Sequence, residues 1–171
     1  RRELVVFQGH LDQSGFVGKL KSMISEFYQY GITPQMLREV AADAGSALFR
    51  QKLEDFAVVF QAFRDYIEGH YIAAEEVLDV LCRVLPRSEI VKNSMVSLDG
   101  FTGFTPVQYR LLELFMVYAR QVQVTVTADS GEPLRRPVGM QNLFYMSHQM
   151  VRRLVGLAGK NQVPVLEDIC L

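Results

Sequence analysis

Residues 94–108 read SMVSLDGFTGFTPVQ, and this stretch decides the fold. Its short apolar run stops at Asp99-Gly100, which predicts a strand that ends in a turn. A capping box with proline at the first helical position follows at residues 105–108. We therefore expect a helix from about residue 106 to residue 120.

The rest of the C-terminal half continues this pattern. Three valines alternate with polar residues at 122–126, which predicts a second strand. A polar loop then leads to a helix expected at about 140–158, and residues 163–166 are compatible with the start of a further strand. Strand, helix, strand and helix in this order are typical of a parallel sheet. The sequence therefore predicts an α/β fold that is rich in helix.

The first 90 residues carry helical periodicity. Apolar spacing predicts helices over 16–28, from 34 to near 45, over 46–69 and over 73–85. Gly31 is expected to cap the first helix, and Thr33-Pro34 to start the second. The third helix has a polar face that includes Asp55 and an apolar stripe made of Phe49, Leu53, Phe56, Phe60, Phe63 and Ile67. We interpret this stripe as bundle core rather than as a cofactor box or a partner groove. The expected domains are thus a helical part, 1–90, and an α/β part, 91–171.

Composition excludes several classes of protein. The 171 residues are 49% hydrophobic and 22% charged, which excludes a disordered tail and a disulfide-stapled module. A net charge of −1 argues against a domain that binds DNA on its own. Cys82 and Cys170 are far apart and fit a reduced, cytoplasmic protein. Nothing approaches the roughly 18 apolar residues of a membrane span. Because the chain opens without Met, we expect a piece of a larger soluble protein.

The turn at 99–106 is the best candidate for chemistry. An Asp at the end of a parallel strand, before a glycine-rich turn and a helix N-terminus, is where α/β folds bind ligands. Alternatively, Asp99 only hydrogen-bonds the turn, while Gly100 and Gly103 supply backbone freedom. The residues alone leave both interpretations open.

Known catalytic patterns fail on this stretch. A dehalogenase-type phosphatase needs an Asp nucleophile two residues before Asp99, where Ser97 stands. A Walker-B strand ends in Asp-Glu, whereas Gly100 follows Asp99, and no GxxxxGK[ST] phosphate loop exists. The three histidines are dispersed, so neither a metal site nor a catalytic residue is predicted.

Several stretches carry a family resemblance. Residues 97–109 contain the pattern DGFxxFTPxQ before a leucine-rich helix, and residues 122–129 read VQVTVTAD. Upstream, residues 25–37 read SEFYQYGITPQML, and residues 52–56 read KLEDF. Together these stretches resemble the AddB (RexB) family of bacterial helicase–exonuclease complexes, over most of the chain.

The resemblance implies a degenerate helicase. Residues 91–171 would belong to a RecA-type core with a partial parallel sheet, and residues 1–90 would be a helical-bundle insertion. The degenerate motif positions would be Asp99, Gly100, Phe101 and Asp129. Glu132 stands where active helicases of this kind keep a Gln, which agrees with a region that does not hydrolyse ATP.

The resemblance also implies partners and cofactors. A protein of this family pairs with an AddA-like helicase, processes DNA double-strand breaks for recombinational repair and is associated with recognition of the Chi sequence. Its iron–sulfur cluster and nuclease metal site lie outside this stretch, so no cofactor is expected here. Four basic residues are candidates for DNA phosphate contact: Arg135, Arg136, Arg152 and Arg153.

Three functional hypotheses follow. The first is a non-catalytic helicase-like region for DNA channelling or recognition and for subunit contact. The second is a helical protein-interaction module with no DNA role of its own. The third is a nucleotide-binding switch with its ligand at residues 100–106.

Overall fold

The computed structural model describes residues 4–67, 77–129 and 131–169. The chain divides into two compact units, Arg1–Val77 and Leu78–Leu171. The boundary between them precedes the one expected at 90/91, because the 3-10 turn Leu85–Arg87 and the short helix after it pack on a helix of the second unit. Assignment of the units to an insertion and a helicase core remains a prediction.

In its described residues 4–67, the first unit contains a 3-10 turn (Gln8–His10) and three α-helices: α1 (Ser14–Tyr30), α2 (Pro34–Ala42) and α3 (Ala47–Ile67). Gly31 ends α1 in the left-handed conformation at φ +68°, and the Thr33 hydroxyl accepts a hydrogen bond from the Met36 N–H at 3.2 Å. Both predicted helix boundaries are therefore confirmed. The last two positions of the predicted third helix, 68–69, lie outside the described residues.

The core of the first unit comes from all three helices. Its buried members are Ile24, Phe27, Tyr28, Leu37, Ala57, Phe60 and Ile67. The apolar stripe of α3 supplies much of this core, as predicted, but its first member, Phe49, is 52% exposed. The interpretation of the stripe as bundle core holds from Leu53 onward.

Asp55 departs from its expected position on the polar face of α3. Its carboxylate is 1% exposed and accepts hydrogen bonds from the N–H groups of Val5, Val6 and Phe7 at 3.0, 2.7 and 2.8 Å. The prediction of an outward side chain was wrong, because an irregular segment before α1 covers this part of α3 and needs an acceptor for its backbone.

The second unit contains a parallel sheet. Its elements are α4 (Val77–Val84), α5 (Glu89–Lys92), β1 (Met95–Leu98), α6 (Pro106–Tyr118), β2 (Gln121–Val124) and α7 (Tyr145–Lys160). Strands β1 and β2 pair in parallel, with Met95 opposite Gln121 and Leu98 opposite Val124. The βαβ unit and the helix-rich α/β class are thus confirmed. Residues 73–76, the predicted start of α4, lie outside the described residues.

One core joins the two long helices of this unit to the sheet. Tyr109 and Leu112 of α6 pack with Met150 and Leu154 of α7, against a partly buried layer that includes Leu98 and Val124. Helix α7 begins later than predicted, because the Asn142 side chain accepts a hydrogen bond from the Phe144 N–H at 2.8 Å and stabilises a turn there.

The strand predicted at 163–166 does not form. Pro164 has no N–H for a ladder, and the Leu166 carbonyl accepts a hydrogen bond from Arg135 at 2.9 Å. The Val163 N–H is used to close α7, by donating to the Ala158 carbonyl at 2.9 Å. In the described ranges, every helix is too short or too polar to cross a bilayer.

Candidate functional site

The ends of β1 and β2 are joined at Asp99. The Thr125 N–H donates to the Leu98 carbonyl at 2.9 Å, which extends the pairing one step beyond the strands. The Thr125 hydroxyl donates to the carboxylate of Asp99. Gly100 follows at φ +74°, a conformation that side-chain-bearing residues adopt at a cost. The Asp99 carboxylate thus joins the ends of the two strands.

Two backbone N–H groups at the N-terminus of α6 form hydrogen bonds within the capping box. The Thr105 N–H donates to Gln108 Oε1 at 2.8 Å, and the Gln108 N–H donates to the Thr105 hydroxyl at 3.4 Å. The rings of Phe101 and Phe104 lie 4.9 Å apart, and that of Phe104 meets Tyr109 edge-on at 5.5 Å. These contacts suit a turn-forming segment, since the capping box occupies N–H groups that a phosphate would need.

Asp129 shapes a separate turn. Its carboxylate accepts a hydrogen bond from the Gly131 N–H at 2.8 Å, and its carbonyl accepts one from the Glu132 N–H at 3.2 Å. Between the described residues, no hydrogen bond links Asp129 to Asp99. Asp99 and Asp129, two of the four positions that the resemblance implies, therefore each bond within a different turn.

Two of the four candidate arginines are fixed by partners. Arg135 donates to the Asp168 carboxylate at 2.7 Å and to the Leu166 carbonyl at 2.9 Å, and the bond to Asp168 raises the guanidinium pKa. The Arg153 guanidinium lies 3.8 Å from the ring centre of Tyr109. Burial raises the pKa of the Tyr109 hydroxyl, although the nearby charge of Arg153 opposes this shift.

The other two are exposed. Arg136 lies on the loop before α7, and Arg152 lies on α7 itself. In the part of the chain that the structure describes, neither makes an ion pair. Helix α7 also exposes Gly156 and Lys160 on the same side as Arg152, and Lys160 is paired with Glu113 at 2.9 Å. Of the four arginines, Arg136 and Arg152 have no ion-pair or aromatic partner among the described residues.

A buried histidine ties the Arg136 loop to α7. His148 is 1% exposed, and its Nδ1 lies 3.2 Å from the Arg136 carbonyl. Its Nε2 lies 3.7 Å from Glu132 Oε2, and Glu132 also accepts a hydrogen bond from the Asn142 side chain at 2.8 Å. Sequence reasoning missed this arrangement, since three dispersed histidines give no signal beyond the position of His148 on a helix.

The described residues do not fit a metal cluster. Cys82 is half-buried, and burial raises the pKa of its thiol, whereas metal ligation requires the thiolate. Over 4–67, 77–129 and 131–169, no three His, Cys, Asp or Glu side chains converge. An iron–sulfur cluster or a nuclease metal therefore finds no ligand set in these ranges.

Comparison with known proteins agrees with the motif at the end of β1. The family model described as ADDB, N-terminal, matches residues 1–171. The AddB-type subunit of the ATP-dependent helicase/deoxyribonuclease from Lachnoclostridium phytofermentans is 39% identical over 172 residues, which cover 99% of this chain and 15% of that protein. The corresponding subunit from Caldanaerobacter subterraneus subsp. tengcongensis is 31% identical over 171 residues, covering 100% of this chain and 14% of that protein.

A more distant relative gives the same result. The corresponding subunit from Bacillus subtilis is 28% identical over 166 residues, covering 90% of this chain and 14% of that protein. The chain thus spans about 15% of the length of the curated relatives it matches. The resemblance seen in DGFxxFTPxQ is confirmed over the whole sequence: the chain belongs to the AddB family and corresponds to its N-terminal region.

Proposed function

We propose that these residues form a non-catalytic, helicase-like region of an AddB-type protein, which contacts DNA and the partner helicase. The observation that carries this proposal is the bond between Thr125 and Asp99. A carboxylate that holds Mg²⁺ for ATP hydrolysis needs free oxygens and a neighbouring carboxylate that positions water. Here Asp99 is engaged by a hydroxyl, and Gly100 stands at the neighbouring position.

DNA contact is supported by the two free guanidinium groups. Arg136 and Arg152 are exposed and available to phosphate, whereas Arg135 and Arg153 are engaged within the protein. A net charge of −1 permits such contact, because a channel built from several domains concentrates positive potential locally. The contact is to the backbone of single-stranded DNA, without readout of bases.

The test is binding of fluorescent single-stranded DNA, measured by anisotropy at low and at physiological salt. We expect the double variant R136A/R152A to lose about tenfold or more in affinity at low salt, with a shallower salt dependence. The matched control is K19A/K21A, which removes the same charge from two exposed positions of α1. We expect that control to bind about as well as the wild type.

Either of two results would contradict DNA contact at this surface. One is equal weakening by the two double variants, because only net charge would then matter. The other is absence of binding by the wild type at low salt, both in the chain and in a complete AddB-type protein carrying the equivalent arginines. For the non-catalytic part, we expect D99A in the assembled complex to leave ATP turnover unchanged.

The rest of the functional setting follows from the same proposal. The partner is an AddA-like helicase, and the complex acts in the cytoplasm on broken DNA for recombinational repair. In this proposal the iron–sulfur cluster and the nuclease metal belong to other parts of the AddB-type protein.

Exposed apolar side chains on α2 favour this helix as the contact with the partner helicase. Met36 and Val40 are one turn apart and are 47% and 54% exposed, although Leu37 and Ala41 bury the opposite side of the helix. We expect M36E/V40E in the complete AddB-type protein to weaken co-purification with the helicase about tenfold, while Q35E on the same helix has little effect. Unchanged co-purification of M36E/V40E would remove α2 from the interface.

A further inference from the structure

The loop from Gly131 to Asn142 carries Arg136 and is held by a histidine with one unused nitrogen. His148 Nδ1 lies 3.2 Å from the Arg136 carbonyl, which is only an acceptor, so Nδ1 must carry the hydrogen. In the neutral ring, Nε2 then presents a lone pair. That nitrogen is buried without a hydrogen-bond partner among the described residues.

The carboxylate of Glu132, which lies beside Nε2, is also an acceptor. Glu132 Oε2 lies 3.7 Å away, too far for a hydrogen bond and close enough for an ion pair once the ring is charged. A buried lone pair opposite a carboxylate is unfavourable, and one proton relieves it by turning Nε2 into a donor. The 43% exposed Glu132 side chain borders a surface cleft of about 370 Å³, which gives water access to the carboxylate.

We propose that His148 and Glu132 form a proton-operated latch that holds the 131–142 loop, and with it Arg136, against α7. On acidification a proton from solvent binds Nε2, and the imidazolium then donates to Glu132 while Nδ1 keeps the Arg136 carbonyl. His148 thereby holds the loop at two points. Without the proton it holds the loop at one, through the Arg136 carbonyl, in addition to the contacts of Arg135 with Leu166 and Asp168.

The other charged groups near the latch have partners or point outward. On the loop the remaining charged groups are Arg135, paired with Asp168, and the exposed guanidinium of Arg136. On α7, Arg152 is exposed one turn further along. Helix α6, which packs on α7, contributes ionisable groups that other residues engage: Tyr109 under Arg153, and Glu113 beside Lys160 and Asn161. Glu132 is therefore the carboxylate that responds to a charge on His148.

The test is amide hydrogen exchange of residues 131–142 in the chain at about pH 8 and about pH 5.5. After correction for the intrinsic exchange rate, we expect the wild-type loop to gain about threefold or more in protection on acidification. The variant E132Q supplies an amide N–H to the Nε2 lone pair at both pH values. In E132Q we expect the loop to be protected from amide exchange at both pH values, with no increase in protection on acidification.

Controls keep the latch falsifiable. E167Q removes one exposed carboxylate outside the latch and should keep the wild-type gain. H148Q tests the ring directly, but the side chain is buried, so E132Q carries the conclusion if H148Q does not fold. Absence of a gain in the wild type, or the same gain in E132Q, would overturn the latch.

The consequence for DNA rests on the proposed function and is measured separately. If Arg136 contacts phosphate, acidification should tighten single-stranded DNA binding about threefold more in E167Q than in E132Q. A loop that responds to acid without this difference in affinity supports the latch and contradicts the role of Arg136. Binding that depends on Arg136 without any response of the loop supports the DNA contact and overturns the latch.

Discussion

The hydroxyl of Thr125 donates a hydrogen bond to the carboxylate of Asp99, across 26 residues of sequence. The parallel register places the residues after Leu98 and Val124 side by side, so this bond closes the carboxyl edge of the two-stranded sheet. Asp99 therefore has a structural role, because its carboxylate joins the ends of the two strands.

Removal of that hydroxyl should loosen the edge of the sheet. We expect Thr125→Val to lower the free energy of unfolding by about 1 kcal/mol, because it leaves Asp99 without this donor. Urea denaturation followed by circular dichroism measures the change. Thr127→Val, at an exposed position two residues on, is the matched control and should stay within about 0.5 kcal/mol of the wild type. Equal effects of the two substitutions would mean that the bond contributes nothing.

Loss of the buried carboxylate of Asp55 should lower the free energy of unfolding by more than loss of the Thr125 hydroxyl. Asp55→Asn keeps the size of the side chain but replaces one acceptor oxygen with an amide donor, facing three backbone N–H groups. We expect a loss of about 2–3 kcal/mol in the free energy of unfolding and faster hydrogen exchange at residues 5–7. Asp65→Asn, on the exposed side of the same helix, should cost little. A small effect of Asp55→Asn would show that the N-terminal segment is held by apolar contacts alone.

Asp99 and Asp55 illustrate which features of the structure could be predicted from the sequence and which could not. Helix starts at Thr33-Pro34 and Thr105-Pro106 were predictable, because the capping side chain and its partner lie three residues apart. The parallel pairing of β1 and β2 followed from the order of elements around α6. Asp55 was misplaced because its partners are backbone groups 48 to 50 residues away, which no local periodicity encodes.

The same distinction between predictable and unpredictable features applies to the candidate site. Its motif positions were found from spacing, but the use of Asp99 by Thr125 depends on strand register. The availability of Arg136 and Arg152, as opposed to Arg135 and Arg153, depends on contacts with Asp168 and Tyr109. The failed strand at 163–166 has a similar cause, since Arg135 takes the Leu166 carbonyl.

Glu113 should make stability depend on pH. Hydrogen bonds from Asn161 and then from Lys160 lower the pKa of its carboxyl below the ordinary 4.5. A lowered pKa in the folded state means stabilisation that is present above the unfolded value and is lost as the pH falls through the folded value. We expect Glu113→Gln to cost about 1 kcal/mol near neutral pH, with the difference from the wild type shrinking below about pH 4.5.

Urea denaturation at several pH values measures this difference. Glu89→Gln is the matched control, because Glu89 is also paired with a lysine, at 2.6 Å, but its side chain is 77% exposed. Solvent screens such a pair, so we expect little change in stability at any pH. A Glu113→Gln difference that persists unchanged at low pH would contradict an electrostatic origin.

The stability of the turn after Asp99 should depend on the backbone conformation of Gly100 and not on the space around this residue. Gly100 has a φ of +74°, and a Cβ built there meets no atom within 4 Å, so Gly100→Ala is opposed only by the backbone. We expect it to cost about 1 kcal/mol in the free energy of unfolding. Gly103→Ala in the same turn is the control: its Cβ would meet Met146 at 3.8 Å, an ordinary contact, and it should be nearly neutral. If both substitutions cost the same, the strain of the turn does not reside at Gly100, and a residue with a side chain could follow Asp99 without penalty.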